Sequence, residues 1–355
     1  MMKHNFGAGP CILPQAVFKQ ASEAVLDFNG LSILEVSHRH KDFVAVMDEA
    51  IDLTKKVLGV PDGYSVLFLQ GGATLGFTIT ALNMMREHKR AAYINTGTWS
   101  SGAIREAGKV GIEVLEIASS QDRNFSYIPK GIVCPDDVDY LHFTSNNTIA
   151  GTQFHDFPKA KHLVCDMSSD IFSKEINVAD FDLIYAGAQK NLGPAGATLY
   201  IVKDEVLGKS TSQFMPTYMD LKKQADKGSM LNTPPVFSVY TAMLNLKDLQ
   251  AHGGVKEKQK QNDAKAALLY QEIDSNPLFE GTVAKEDRSK MNVTFKLTDE
   301  SLKEEFDKNW KSADIVGLPG HRSVGGYRAS LYNALEIDSV RVLVEVMKEF
   351  ARVKA

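Results

Sequence analysis

Short apolar runs alternate with stretches of helical period through the first two-thirds of the chain. The runs at 65–70, 90–95, 113–117, 140–145, 162–166, 183–186 and 197–202 are close to continuously apolar, as strands buried on both faces are. Between them the spacing predicts helices over 16–28, 43–58, 74–87 and 101–110. Strands alternating with helices specify an α/β fold, a large domain with a mostly parallel sheet flanked by helices. Such sheets hold ligands at the carboxyl ends of their strands. Beyond 255 the pattern changes. Lys256-Glu257-Lys258-Gln259-Lys260 opens a charged helix that continues through 264–273 and reads as a solvated face. A strand at 292–297, a helix at 300–309, a strand at 327–332 and a closing helix at 337–353 predict a smaller C-terminal α+β domain. The expected division is an arm at 1–15, a large domain at 16–254 and a small one at 255–355.

One stretch admits a second reading. Residues 63–85 carry no charge over 23 positions, long enough for a membrane helix. Gln70-Gly71-Gly72 interrupts it, and Ser65, Thr74, Thr78, Thr80 and Asn83 dot it. Strand, glycine turn and helix fit better, and no membrane partner is expected. The length of 355 residues suits about two domains. A formal charge of −4 supplies no broad positive field for nucleic acid, so an anionic ligand must be met locally. Cys11, Cys134 and Cys165 are odd in number and far apart, which argues against a disulfide framework and for a reducing compartment. The start, Met1-Met2-Lys3-His4-Asn5-Phe6, lacks the apolar run of a signal peptide.

Candidate chemistry gathers at the strand ends. Lys190 follows the apolar run 183–186 and the turn Gly187-Ala188-Gln189, and precedes Asn191-Leu192-Gly193-Pro194-Ala195-Gly196. An amine there is desolvated enough to react with a carbonyl, whereas an ordinary lysine is a solvated charge. Asp166 ends the run 162–166; it either caps the turn Met167-Ser168-Ser169 or holds a pyridinium N–H. Lysine and aspartate on adjacent loops suit pyridoxal phosphate. Gly71-Gly72-Ala73-Thr74, between a strand and a helix, offers backbone N–H groups to a phosphate. It matches neither the Walker loop nor the dinucleotide fingerprint. Trp99, after Asn95-Thr96-Gly97-Thr98, either stacks on a flat ring or fills the core. Arg39 in Ser37-His38-Arg39-His40 and Arg322 in Gly320-His321-Arg322-Ser323 sit in loops suited to gripping carboxylate or phosphate. Arg328, among apolar neighbours at 326–331, implies an anionic partner. No acidic or cysteine cluster joins His38 and His40, and no metal is expected.

With these residues assembled, the chain resembles the phosphoserine aminotransferases, a family of fold-type-I, class V transaminases. The motifs that carry the resemblance run from Asn5-Phe6-Gly7-Ala8-Gly9-Pro10 through Ala188-Gln189-Lys190-Asn191 and Asn232-Thr233-Pro234-Pro235 to Gly320-His321-Arg322-Ser323-Val324-Gly325-Gly326 and Arg328-Ala329-Ser330. The resemblance implies a pyridoxal 5'-phosphate cofactor, bound covalently by Lys190, paired by Asp166 and stacked on by Trp99. Ala73 and Thr74 would hold its phosphate, Thr148 and Gln189 would line its ring, and Asn232 and Thr233 would reach the phosphate from a second subunit of a homodimer. Arg328 would hold the substrate α-carboxylate; His38 and Arg39, with His321 and Arg322 from the partner subunit, would hold the distal anion. The implied reaction interconverts O-phospho-L-serine and 2-oxoglutarate with 3-phosphohydroxypyruvate and L-glutamate in serine biosynthesis, in the cytoplasm, with phosphohydroxythreonine of pyridoxine biosynthesis as a further substrate in some members. Gly7 and Leu231 depart from the family's usual serine and aromatic residue. Another class V enzyme, such as an alanine:glyoxylate aminotransferase or a cysteine desulfurase, is the nearest alternative, and a silent binding protein is the alternative of a different kind. A desulfurase would need a mobile nucleophilic cysteine, for which only Cys134 is placed.

Overall fold

A computed structural model describes residues 3–354. Its main sheet has seven strands in the order Tyr64–Gly71, Gly196–Lys203, Leu183–Gly187, Leu163–Asp166, Leu141–Thr144, Arg90–Asn95, Glu113–Ser119. Gly196–Lys203 pairs antiparallel with both of its neighbours, and the other pairings are parallel. Successive residues face opposite sides of a strand, and here both sides are covered. Val66, Phe68, Ile184 and Ala186 pack with Val17, Phe43 and Val239 on one face. Leu67, Leu69, Leu183 and Tyr185 pack with Phe77, Ile79 and Ala103 on the other. Double burial is the cause of the unbroken apolar runs in the sequence. The uncharged stretch resolves into the strand Tyr64–Gly71, a turn at Gly72 and the helix Ala73–Met84. Among the described residues no helix is long and apolar enough to cross a membrane.

Helix Val236–Ala251 has no counterpart in the sequence reading. Ser238 to Leu244 are all buried, so the helix lacks the polar face that makes a helical period visible. The charged helix spans Gly254–Ser275 and does present lysines to water, yet its Lys265 is buried. The Lys265 Nζ donates to the carbonyls of Leu331, Tyr332 and Leu335 at 2.9, 2.9 and 3.0 Å. The strand Tyr327–Ser330 stops short of the expected 332, and the carbonyls of Leu331 and Tyr332 just beyond it are ones that Lys265 meets.

The C-terminal sheet is antiparallel, in the order Tyr327–Ser330, Asn292–Leu297, Phe279–Gly281. Val293, Phe295, Tyr327 and Ala329 enter a separate core with Leu269, Phe306 and Leu343. By the period of two, Asn292, Thr294, Arg328 and Ser330 face the opposite way, toward the main sheet. The predicted helix at 300–309 is a short 3-10 turn followed by helix Lys303–Ser312. The N-terminal arm joins this second unit: His4–Asn5 pairs with Ile315–Val316, and Phe6 is fully buried in its core.

Candidate active site

The parallel strands end at one edge of the sheet, and the loops that follow them close a cavity of about 320 Å³, within the range of about 300–1,000 Å³ typical of small-molecule sites. Lys190 lies on its wall, 8% exposed. The Nζ donates to the Thr148 hydroxyl at 2.7 Å. Burial pushes the ammonium down to about 8, Asp166 opposes the shift and Arg328 adds to it. The expected desolvated amine is therefore present.

Asp166 ends its strand at the cavity, 3% exposed. Its Oδ1 accepts the Ser168 N–H at 2.9 Å and the Ser168 hydroxyl at 2.5 Å. The capping role is therefore present and leaves room for a second contact on the same carboxylate. Oδ1 is consumed by the turn, while the hydrogen bonds among the described residues leave Oδ2 for a ligand. Burial raises this carboxyl above the usual carboxylate range, against the pull of the Ser168 bonds and Lys190. A cationic N–H opposite Oδ2 would offset that cost.

Ala73 and Thr74 begin helix Ala73–Met84 at the cavity. The cap residue is Gly72, no side chain caps the first turn, and no acidic residue lies in it. Those open N–H groups and the positive helix end suit a phosphate. Trp99, in the first turn of helix Thr98–Lys109, lines the cavity at 36% exposure, so the core alternative for it is overturned. Gln189 and Thr148 line it as well.

Arg328 enters from the C-terminal sheet. Its Nη1 donates to the Thr148 carbonyl at 3.3 Å, and its buried Nε has no partner. A buried, unpartnered guanidinium N–H is costly unless an anion completes it. His321 lines the same cavity. The resemblance brings His321 from a partner subunit; here it stands at the cavity of its own chain. The cause is a tight hairpin: the Gly320 N–H donates to the Gly326 carbonyl at 2.9 Å, and Pro319 bridges Tyr327. A Cβ at Gly320 would lie 2.0 Å from the Gly325 oxygen, so the turn requires glycine. His38, Arg39, Arg322, Asn232 and Thr233 do not line the cavity. Arg39, Arg322 and Thr233 are exposed. Of the flanking histidines, His40 caps helix Lys41–Leu58 by accepting the Asp42 N–H.

The residues fit pyridoxal phosphate on observations of this chain: the open helix start, the free Asp166 Oδ2, the depressed Lys190 and the flat Trp99. Sequence reasoning missed the part played by Ser168, and with it Asn146 and Ser169, which also line the cavity. Polar residues directly after apolar strands, as in Ser145-Asn146-Asn147-Thr148, are the signal that would have found them. No thiol competes as a nucleophile: burial raises Cys11 to about 12, and it also raises Cys134 and Cys165.

Comparison with known proteins agrees with this geometry. The family model described as Aminotransferase class-V matches residues 3–343. A phosphoserine aminotransferase of Flavobacterium johnsoniae is 58% identical over 98% of both chains. The solved phosphoserine aminotransferase of Bacillus circulans subsp. alkalophilus superposes with a TM-score of 0.96 at 41% identity, covering 100% of this chain and 99% of the other. A pyridoxal-phosphate-bound phosphoserine aminotransferase from Trichomonas vaginalis gives 0.93 at 33% identity, covering 98% and 100%.

Proposed function

The chain belongs to the class V aminotransferases, a pyridoxal-phosphate transaminase family, and from that premise we propose that it interconverts O-phospho-L-serine and 2-oxoglutarate with 3-phosphohydroxypyruvate and L-glutamate, in serine biosynthesis. The observation that carries this reading is a cavity lined by Arg328, whose buried Nε is unpartnered, and by His321, next to the exposed Arg322 that a second copy would bring to its neighbour's cavity. Phosphoserine and glutamate each carry an α-carboxylate and a second anion, so one such pocket serves both.

Bound pyridoxal phosphate supplies an electron sink for the charge left when the substrate Cα loses its proton. Asp166 Oδ2 would hold the ring nitrogen protonated, the 73–74 amides would hold the phosphate, and Trp99 would cover the ring. Lys190 Nζ would take the proton from Cα and deliver it on the far side of the substrate nitrogen. Thr148 orients that amine. Arg328 would fix the α-carboxylate and so orient the substrate toward Nζ.

The test is the visible absorbance of the holoenzyme with each amino acid. We expect phosphoserine to discharge the pyridoxal form and 2-oxoglutarate to restore it. Discharge by alanine alone would move the reading to the glyoxylate-type alternative. In the same assay Arg328→Ala should raise KM for phosphoserine and glutamate alike. Arg322→Ala should weaken these two by about tenfold or more while sparing alanine; an equal loss on alanine would refute the pocket assignment.

A homodimer with shared sites forms part of the proposal. Arg39, Arg322 and Thr233 lie off this chain's cavity, and Leu31 and Leu34, in the loop before His38, are 52% and 63% exposed. A second copy would cover those leucines and bring Asn232 and Thr233 to its neighbour's phosphate. A monomeric mass by light scattering would exclude it. A cytoplasmic location accords with the substrates proposed.

A further inference from the structure

One face of the C-terminal sheet grips alternate residues of the loop that follows strand Leu141–Thr144. Asn292 and Ser330 are paired across the ladder, as are Thr294 and Arg328, and all four side chains share that face. The Asn292 Oδ1 accepts from Asn146 Nδ2 at 2.8 Å. Arg328 Nη1 donates to the Thr148 carbonyl at 3.3 Å, and the Thr294 hydroxyl donates to the Ala150 carbonyl at 3.1 Å. Positions 146, 148 and 150 thus each meet one residue of that face, while Asn146 is further tied to Ser169 and Ser289. The fit is close: a Cβ at Gly151 would lie 2.2 Å from the Thr294 Oγ1. The Thr294 Oγ1 accepts from Thr282 at 2.7 Å, which aims its own proton at Ala150.

The loop so held carries Thr148, whose carbonyl meets Arg328 and whose hydroxyl meets Lys190. We propose that Thr294 and Asn292 are positioning residues that clamp the 146–150 loop, and that through Thr148 they set Arg328 and Lys190 in mutual register for an amino-acid substrate. They touch neither amine nor carboxylate. The inference rests on the reading of Arg328 as the carboxylate residue.

The experiment compares the Thr294→Val and Thr294→Ser holoenzymes. Valine keeps the shape but removes the donor, leaving the half-buried Ala150 carbonyl unpaired. Three quantities are read: KM and kcat with glutamate, the Kd of unreactive succinate by visible absorbance, and the melting temperature. For Thr294→Val we expect KM and the succinate Kd to rise about tenfold, with kcat falling less than about threefold, and no further rise when Arg328→Lys is already present. Thr294→Ser should restore wild-type values. A lower melting temperature with KM and Kd unchanged, or additive effects in the double variant, would overturn the clamp. Should Thr294→Val not fold, Asn292→Ser loosens the adjacent rung and takes the same readouts. If Arg328→Lys leaves KM and Kd unchanged, the carboxylate reading fails and the clamp with it; if Arg328→Lys acts but Thr294→Val does not, only the clamp fails.

Discussion

Lys190→Ala lowers turnover by about 10²–10⁴-fold while the protein still folds and still takes up pyridoxal phosphate. The size follows from the site. Lys190 is the amine that faces the cavity from the strand-end loops, held at 2.7 Å by Thr148. No cysteine among the described residues lines the cavity to replace it. With alanine there, the proton has no carrier between the two carbons. The helix start at Ala73, the ring face of Trp99 and Asp166 remain to hold the cofactor. Turnover in single-cycle absorbance measurements is the check, with ethylamine added as a replacement base. Partial recovery that grows with amine concentration supports proton transfer at Nζ. Turnover within tenfold of the wild type would remove Lys190 from the chemistry.

The same residue predicts a pH dependence. Only the neutral amine attacks an aldehyde. Burial lowers Lys190 to about 8, so capture of pyridoxal phosphate by the cofactor-free protein should accelerate as pH rises through about 8 and then level off. The sign is that of a cation destabilised by desolvation. A rate still climbing toward 10.5, the ordinary lysine value, would show an exposed amine instead.

The elements behind these expectations differ in how far they could be read from the chain alone. Lys190 and Asp166 were legible because an apolar strand ending in a charged residue is a local pattern, and parallel strands bring their ends together. The strands at 292–297 and 327–332 were legible as short local patterns too. What they face was not. Asn292 meets Asn146 across 146 positions, and no periodicity encodes which loop a sheet face will touch. Lys265 was hidden inside a charged helical pattern, since its burial depends on carbonyls 66 to 70 residues away. Helix Val236–Ala251 escaped notice because it is wrapped by the core. His321 entered only through the resemblance, as a partner-subunit residue, and the Gly320–Gly326 turn puts it on the cavity of its own chain.

Asp166→Asn lowers kcat by about 10²–10³-fold, the usual effect of deleting one preorganised charge, with the dissociation constant of pyridoxal phosphate rising less than about tenfold. The carboxylate divides its two tasks between its oxygens. Oδ1 accepts two bonds from Ser168 and so fixes the turn, and an amide oxygen continues to do so after substitution. Oδ2 supplies the negative charge at the cavity, and the amide that replaces it has none. A donor NH₂ there cannot keep a ring nitrogen protonated, so charge leaving the substrate Cα loses its sink. Binding depends less on this contact, because the Ala73 helix start and Lys190 hold the other groups. Burial raises Asp166, so its charge is costly at the cavity and a cationic partner relieves that cost. Cofactor binding should therefore weaken as pH falls through the raised carboxyl value in the wild type, and this dependence should vanish in the asparagine variant. Equal losses in turnover and retention, or an unchanged acid limb in Asp166→Asn, would assign Asp166 to the turn alone.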